Sequence, residues 1–397
     1  MDSYARGAAA FRPRIKPEHR AYRTTEGHVR IGSVVYGIGA EVKDPDGWVW
    51  ALVEALDGSL TVDEVVGKTG ARFPELPGDA IRQAITDLQA AGFIDDARAD
   101  VPEGFSEQER IRYSRGVPLM RWMDLSPRTN AWEIQQELRA AKVLLVGVGG
   151  TGGYAAHGLV ASGVGHLHCV DSDVVELSNL NRQPLFREGD IGKGKVDAAV
   201  AALREVNSHV RVTGARCEIS GPDDLAELLA MGTPGEGAGF DLLVLAADRP
   251  PVIRGWANRV CLDRRLPWVA AGYEGPQVLV GVHVPYRGAC WECLQLAERD
   301  RVDLRVAPGQ GDDVASARMP WNPVTAVTAG LSGGLLTHAA LSLLTGVPAL
   351  EPGLRFGMNL MALEETITLR SPRRDDCPAC GTDSARRDRV AAHDRVG

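Results

Sequence analysis

No stretch of this chain is continuously apolar for the ~20 residues that a membrane-spanning helix needs. The N-terminal segment, MDSYARGAAAFRPRIKPEHR, lacks the apolar core of a secretion signal. Positive charge is in short supply. With 44 Lys and Arg against 52 Asp and Glu, the net charge is −8, which argues against a nucleic-acid binder working by bulk electrostatics. The seven cysteines are an odd number, and that argues against a disulfide framework in a reducing compartment. These absences predict a cytoplasmic protein with neither membrane nor nucleic acid as partner. The 397 residues, 44% hydrophobic and 24% charged, suffice for two or three domains with a well-buried core.

What is present is concentrated between Lys142 and Lys195, KVLLVGVGGTGGYAAHGLVASGVGHLHCVDSDVVELSNLNRQPLFREGDIGKGK. A strand is expected over Val143 to Val146, then a glycine-rich turn with Gly147, Gly149, Gly150, Gly152 and Gly153. A helix and a second strand, Leu167 to Val170, lead to Asp171. This is a Rossmann-type nucleotide site. Bare backbone approaches phosphates at a helix N-terminus, and a carboxylate takes ribose hydroxyls. On the glycine turn alone, an NAD or FAD site is the alternative, and NAD is the better reading. Asn179, Arg182, Gln183 and Lys195 tip the reading toward ATP, because a site that cleaves between phosphates must stabilise charge that grows in the transition state. Asp248 closes a later apolar strand, VLAAD. The plain alternatives are a surface ion pair for Arg182 and a helix cap for Asp248.

Two knuckles, Cys290-x-x-Cys293 and Cys377-x-x-Cys380, supply the four thiolates of a tetrahedral structural zinc, stapling two distant segments. Pro378 inside one knuckle fits a metal better than a redox pair. Cys169, Cys217 and Cys261 lie in apolar or strand-like surroundings, away from the chemistry. His166 and His168 share one side of a strand and read as structural.

Taken together, V-G-x-G-G-x-G, then D-x-D-x-V-x-x-S-N-L-N-R-Q, then G-x-x-K resemble the adenylating domain of the ubiquitin-activating-enzyme superfamily, the ThiF/MoeB/MccB adenylyltransferases. The resemblance covers roughly Tyr113 to Gly381. It implies that Asp171, with Asp173 beside it, binds the ribose. Asn179 and Arg182 hold the phosphates with Gln183, Lys195 steadies them, and Asp248 is the magnesium ligand. It further implies that Arg115, in RYSR, reaches the ATP of a partner subunit in a homodimer. The alternative for Arg115 is a solvated charge among Arg110 and Arg112. Members that form a thioester carry a cysteine after the first knuckle. Leu294 to Pro320 has none here, which argues against that step.

Upstream, VWALVEALDGSLTVDEVV…AIRQAITDLQAAGFID resembles PqqD and related leader-peptide recognition domains. Short strands are expected over His28 to Ile38. Helices are expected over Trp48 to Leu56, from a Thr61 cap with Glu64, and over Asp79 to Ala91. A DNA-binding winged helix is the alternative, but the second helix has few of the basic residues that phosphates require. The expected fold is therefore α/β: a Rossmann-like adenylating domain with a mixed sheet and structural zinc, plus a small winged-helix-like α+β domain. The expected layout is a flexible 1–23, the peptide-binding domain at 24–99, a connector at 100–140, the adenylating domain at 141–385 and a flexible tail at 386–397. Leu294 to Met319 reads as irregular, and Pro323 to Leu344 as an apolar helix.

The function that these resemblances imply is ATP- and Mg²⁺-dependent adenylation of a carboxylate on a ribosomally made peptide or a small carrier protein, in peptide natural-product maturation. Two alternatives are activation of a Gly-Gly-ended sulfur carrier and a non-catalytic scaffold that presents a leader peptide to a cyclodehydratase.

Overall fold

The computed structural model describes residues 11–32, 34–99, 101–231, 239–301, 319 and 321–382. Most of the segment expected to be irregular, Leu294 to Met319, lies outside the described residues, as does the tail from 386. The chain divides into two compact units between Glu137 and Leu138.

In the first unit, β1 (Pro13–Ile15) pairs antiparallel with β5 (Ile94–Asp96). A separate three-stranded sheet runs β2 (Tyr22–Arg23), β3 (Val29–Ile31), β4 (Ala40–Val42). Between β4 and β5 come α1 (Trp48–Ala55), α2 (Val62–Arg72) and α3 (Gly78–Ala90). Their apolar faces enclose Leu52, Val65, Ile81, Ile85 and Ile94. The Thr61 cap is realised as a capping box: Glu64 Oε2 accepts from Thr61 N at 2.8 Å, and Thr61 Oγ1 accepts from Glu64 N at 3.4 Å.

One expectation fails here. Residues 11–23 are not loose. Lys16 is 2% exposed, its Nζ donates to Asp124 O at 2.8 Å, and His19 Nε2 bonds Trp122 O at 2.8 Å. Within this basic-looking segment Lys16 and His19 are buried, because they find backbone carbonyls inside the fold. The polar connector carries helices. It holds α4 (Glu107–Tyr113), opened by a second capping box between Ser106 and Glu109, and α5 (Gly116–Met123). The helix α6 (Trp132–Ala140) follows.

The second unit is built on an eight-stranded mixed sheet. Five neighbouring strands are parallel: β8 (Arg211–Ala215), β7 (His166–Val170), β6 (Lys142–Val146), β9 (Leu242–Leu245) and β10 (Trp268–Glu274). From β10 the sheet turns antiparallel through β11 (Gln277–His283), β12 (Arg355–Asn359) and β13 (Ala362–Leu369). The central strands read as unbroken apolar runs, since both faces are covered. One face carries α7 (Gly150–Ala161), α8 (Lys195–Val206) and α12 (Ala326–Thr345) over a core including Leu145, Val160, Leu167, Val244 and Leu336. The other face carries α9 (Pro222–Ala230) and α10 (Ile253–Arg264), packed on Leu144, Leu243 and Trp268.

The helix α12 has the length and mean hydropathy, 1.4, of a membrane span, contrary to the expectation that no segment comes close. Its small residues instead press against α7: a Cβ on Gly333 would lie 2.5 Å from Tyr154 Cβ, and one on Gly158 2.7 Å from Thr337 Oγ1. Residues 294–301, expected to be irregular, belong to α11 (Trp291–Arg301).

Candidate active site

Chain order in the parallel half runs outward from β6 in both directions, to β7 and β8 on one side and to β9 on the other. A crevice at the carboxyl ends of the strands, at such a switch point, is where open α/β sheets bind ligands. A cavity of about 830 Å³ opens there.

Its floor is the turn after β6. Gly147 has φ +91°, and a Cβ on it would sit 2.8 Å from Ala247 N, so both conformation and close approach require glycine. Gly149 and Gly150 line the cavity and begin α7. Gly152 does not line it. It lies against the turn, where a Cβ would be 1.9 Å from Gly147 O.

The Asp171 carboxylate is fixed by two backbone donors, Val148 N at 2.8 Å and Asp173 N at 2.9 Å. Each oxygen keeps a lone pair for a hydroxyl group. Asn179, 6% exposed, accepts from Glu176 N at 3.1 Å. Arg182 Nη1 is steadied by Ser178 O at 2.7 Å and Asn181 Oδ1 at 2.9 Å. Gln183 is 5% exposed, and its Oε1 has no partner among the described residues. Lys195 is 7% exposed and its Nζ meets Asp173 Oδ2 at 2.8 Å. The Asp248 carboxylate has no hydrogen bond or ion pair among the described residues, which leaves it open to a cation. Asp171, Asp173, Asn179, Arg182, Gln183, Lys195 and Asp248 all line this one cavity. Arg115 does not. It is exposed at the N-cap of α5, in the first unit.

Among the polar residues of the wall that escape the sequence reading are Arg216, Arg254 and Tyr273. Arg216 Nε donates to Ser172 O at 3.1 Å. Burial lowers the Arg254 pKa, an effect that nearby Asp248 partly offsets. Burial raises that of Tyr273, which Arg182 partly offsets by its charge and a hydrogen bond. Arg254 had a visible signal, an arginine in the helix that follows the Asp248 strand end.

Cys290, Cys293, Cys377 and Cys380 are all buried, with sulfur atoms within 4.8 Å of one another. Individual separations of 3.4, 3.6 and 3.8 Å match the roughly 3.8 Å that 2.3 Å bonds in a tetrahedral zinc site demand. Burial pushes Cys169 up to about 12 and also raises Cys261. Cys217, expected away from the chemistry, lines the cavity. Its thiol is raised by partial burial and by Asp224, Glu218 and Glu227, which disfavours a reactive thiolate.

The comparisons fit this geometry. The model of the ThiF family matches residues 119–379. The chain belongs to the ThiF family. It is 29% identical over 279 residues to the molybdopterin-synthase adenylyltransferase of Escherichia coli, covering 70% of this chain and 98% of that protein. It is 31% identical over 289 residues to the adenylyltransferase and sulfurtransferase MOCS3 of Arabidopsis thaliana. That match covers 72% of this chain, which spans about half (55%) of the plant protein's length. Among solved structures, E. coli MccB superposes with a TM-score of 0.71 at 21% identity, covering 93% of this chain and 96% of that one. PaaA gives 0.62 at 22% identity, covering 90% and 100%. These two likenesses show the fold. Family and site together make this ThiF-family chain an ATP-dependent adenylyltransferase.

Proposed function

We propose that this enzyme adenylates the C-terminal carboxylate of a ribosomally made peptide, in the maturation of a peptide natural product, without a thioester on its own cysteines. The observation that carries this reading is the convergence of Asp171, Asn179, Arg182, Gln183, Lys195 and Asp248 on one switch-point cavity. A peptide carboxylate is ionised at pH 7, so no general base is required. Its oxygen attacks the α-phosphorus of ATP in line. The new P–O bond forms as the bond to the β-phosphate breaks, pyrophosphate leaves with the electron pair, and an acyl-adenylate remains. Arg182 and Lys195 offset the phosphate charge. Mg²⁺ held at Asp248 would supply further charge neutralisation.

A peptide partner is supported by the first unit, which has the helix and strand order expected of a PqqD-like module. Its three-stranded sheet has β4 at an edge, open to an added strand, and Val34, Val35 and Tyr36 are exposed between β3 and β4. Structures of MccB with the fold seen here include one with AMPCPP and MccA. The absence of cysteine from 294–320 supports omission of the thioester.

We further propose a homodimer in which Arg115 serves the partner's phosphates. The second reading, activation of a small carrier protein ending in Gly-Gly, is favoured by the match to almost the full length of the E. coli molybdopterin-synthase enzyme. The scaffold reading predicts that Lys195→Ala/Asp248→Ala leaves function intact.

The test is ATP–pyrophosphate exchange with Mg²⁺ and each candidate peptide or carrier. Exchange that requires a peptide's free C-terminus is the expected result. Exchange only with a Gly-Gly carrier would select the second reading. Tight peptide binding with no exchange would select the scaffold.

A further inference from the structure

The second unit has two chemical centres, the cavity and the four cysteines, and α10 touches both. Ile253 and Arg254, in its first turn, line the cavity. Arg254 Nη2 reaches Ala271 O on β10 at 3.4 Å. No carboxylate is hydrogen-bonded to it among the described residues, although the charge of nearby Asp248 acts on it, so its direction depends on where the helix is held as well as on that charge. Residues four apart lie one above the other on a helix face, and four residues on is Asn258.

Asn258 is 1% exposed, and both ends of its amide are engaged at the cysteine centre. Nδ2 donates to Cys290 Sγ at 3.6 Å, and Oδ1 accepts from Trp291 N at 3.1 Å. One side chain thus grips a ligand sulfur and the backbone of the same knuckle. The contact continues one turn either way. A Cβ on Gly255 would lie 3.7 Å from Glu292 Oε1, and Leu262 packs among the four cysteines. A metal held by four thiolates carries excess negative charge, and an N–H donor to sulfur both disperses that charge and fixes the donor's position.

We propose that Asn258 is a positioning residue that transmits the placement of the four-cysteine centre to Arg254 and so to the cavity wall. This makes the metal knot part of the assembly of the nucleotide site, besides a staple between distant segments. The proposal rests on the reading of the cavity as an ATP site.

The test is a double-mutant cycle on ATP binding, measured by calorimetry with Mg²⁺ and no peptide, on the zinc-loaded full chain. Asn258→Ala and Arg254→Ala each weaken ATP binding by about tenfold, the scale of outer-shell losses. The double variant is no worse than Arg254→Ala alone, because Asn258 acts through Arg254. Additive losses, or no loss in Asn258→Ala, overturn the proposal.

A second readout is independent of the cavity. In Co²⁺-substituted protein, Asn258→Asp keeps an acceptor for Trp291 N but replaces the N–H donor with a carboxylate oxygen. The sulfur-to-cobalt charge-transfer bands shift and metal release accelerates. An unchanged spectrum and release rate overturn the contact to Cys290. Should Asn258→Ala not fold, the same question is put by stripping zinc from wild type and from Arg254→Ala. The stripping weakens ATP binding only where Arg254 is present, and equal weakening in both proteins overturns the proposal. No ATP binding by the intact wild type, with the cobalt shift still seen, would remove the reading of the cavity and not the Asn258 contact.

Discussion

Lys195 illustrates how one side chain is prepared for chemistry. It opens α8, its backbone N donates to Asp173 O, and its Nζ pairs with the Asp173 carboxylate. The pair satisfies a nearly buried cation, which in the proposed reaction would turn to phosphate. Lys195→Ala leaves behind a carboxylate that is itself 64% exposed, so the fold tolerates the loss. Exchange activity falls by about 10²–10³-fold, while the melting temperature moves by only a few degrees; pyrophosphate exchange and calorimetry check both. Gly152→Ala is the converse case. Its Cβ would collide with Gly147 O, so stability drops by ~2 kcal/mol or more, measured by urea denaturation.

His283 sets a pH dependence. Burial, with Arg355 as the lesser cause, depresses it to about 3, and it stacks on Trp268 at 4.2 Å. The folded state keeps it neutral where the unfolded chain, titrating near 6.5, takes up a proton. Its contribution is therefore complete above about pH 6.5 and is lost as the pH falls toward 3, at ~1.4 kcal/mol per pH unit. His168, His338 and His19 are shifted in the same direction by burial and steepen the loss. Urea midpoints between pH 7 and 5 should fall steeply in wild type and less steeply in His283→Gln.

Among the elements, α12 decides most by its small residues. Two neighbouring glycines face opposite environments. A Cβ on Gly333 meets Tyr154 Cβ at 2.5 Å and Thr151 O at 2.6 Å, whereas one on Gly334 meets nothing within 4 Å. Gly333→Ala should destabilise by ~1–3 kcal/mol and Gly334→Ala should stabilise by ~0.5–1 kcal/mol, read from thermal or urea unfolding.

Elements whose signals are contiguous were legible in the sequence. The β6–turn–α7 unit, α8 from Lys195 and the Thr61 cap all follow from local chemistry. Others were not. The strand β1 hides in a basic segment because its partner, β5, lies some eighty residues away. In α4 the Ser106–Glu109 box was visible but unread within a polar stretch. The helix α10, following two prolines and crossed by arginines, shows no clean apolar period. Its face is defined by Asn258 and Arg254, polar residues that make sense only once the cysteine centre and the cavity are placed.

For the molecule as a whole, the four cysteines join α11 to a segment more than eighty residues later. Chelating the metal should lower the melting temperature of the zinc-loaded protein by 10 °C or more, since structural zinc contributes on the order of ten kcal/mol to small domains. Scanning calorimetry with and without a chelator checks this. The proposed sharing of sites across a homodimer has its own test. Arg115→Ala and Lys195→Ala, each inactive alone, should recover about a quarter of wild-type exchange when mixed, because half the dimers are mixed and each then holds one intact site. No recovery after subunit exchange would sink the trans arrangement.

The sequence by itself determined the nucleotide chemistry. Glycines at a strand end, a carboxylate after the next strand and a run of polar and cationic residues lie close together along the chain, and short-range geometry requires those residue types. It likewise set out four thiolates suited to a metal, since each Cys-x-x-Cys knuckle presents its pair of sulfur atoms as a unit. Only the tertiary structure decided what completes each site. Asp248, Arg254 and Tyr273 join the cavity through the order of β9, β6 and β10 in the sheet, and Asn258 meets Cys290 through the packing of α10 on the knuckle. Such contacts depend on which elements become neighbours, and that is set by burial of whole faces and not by any local pattern.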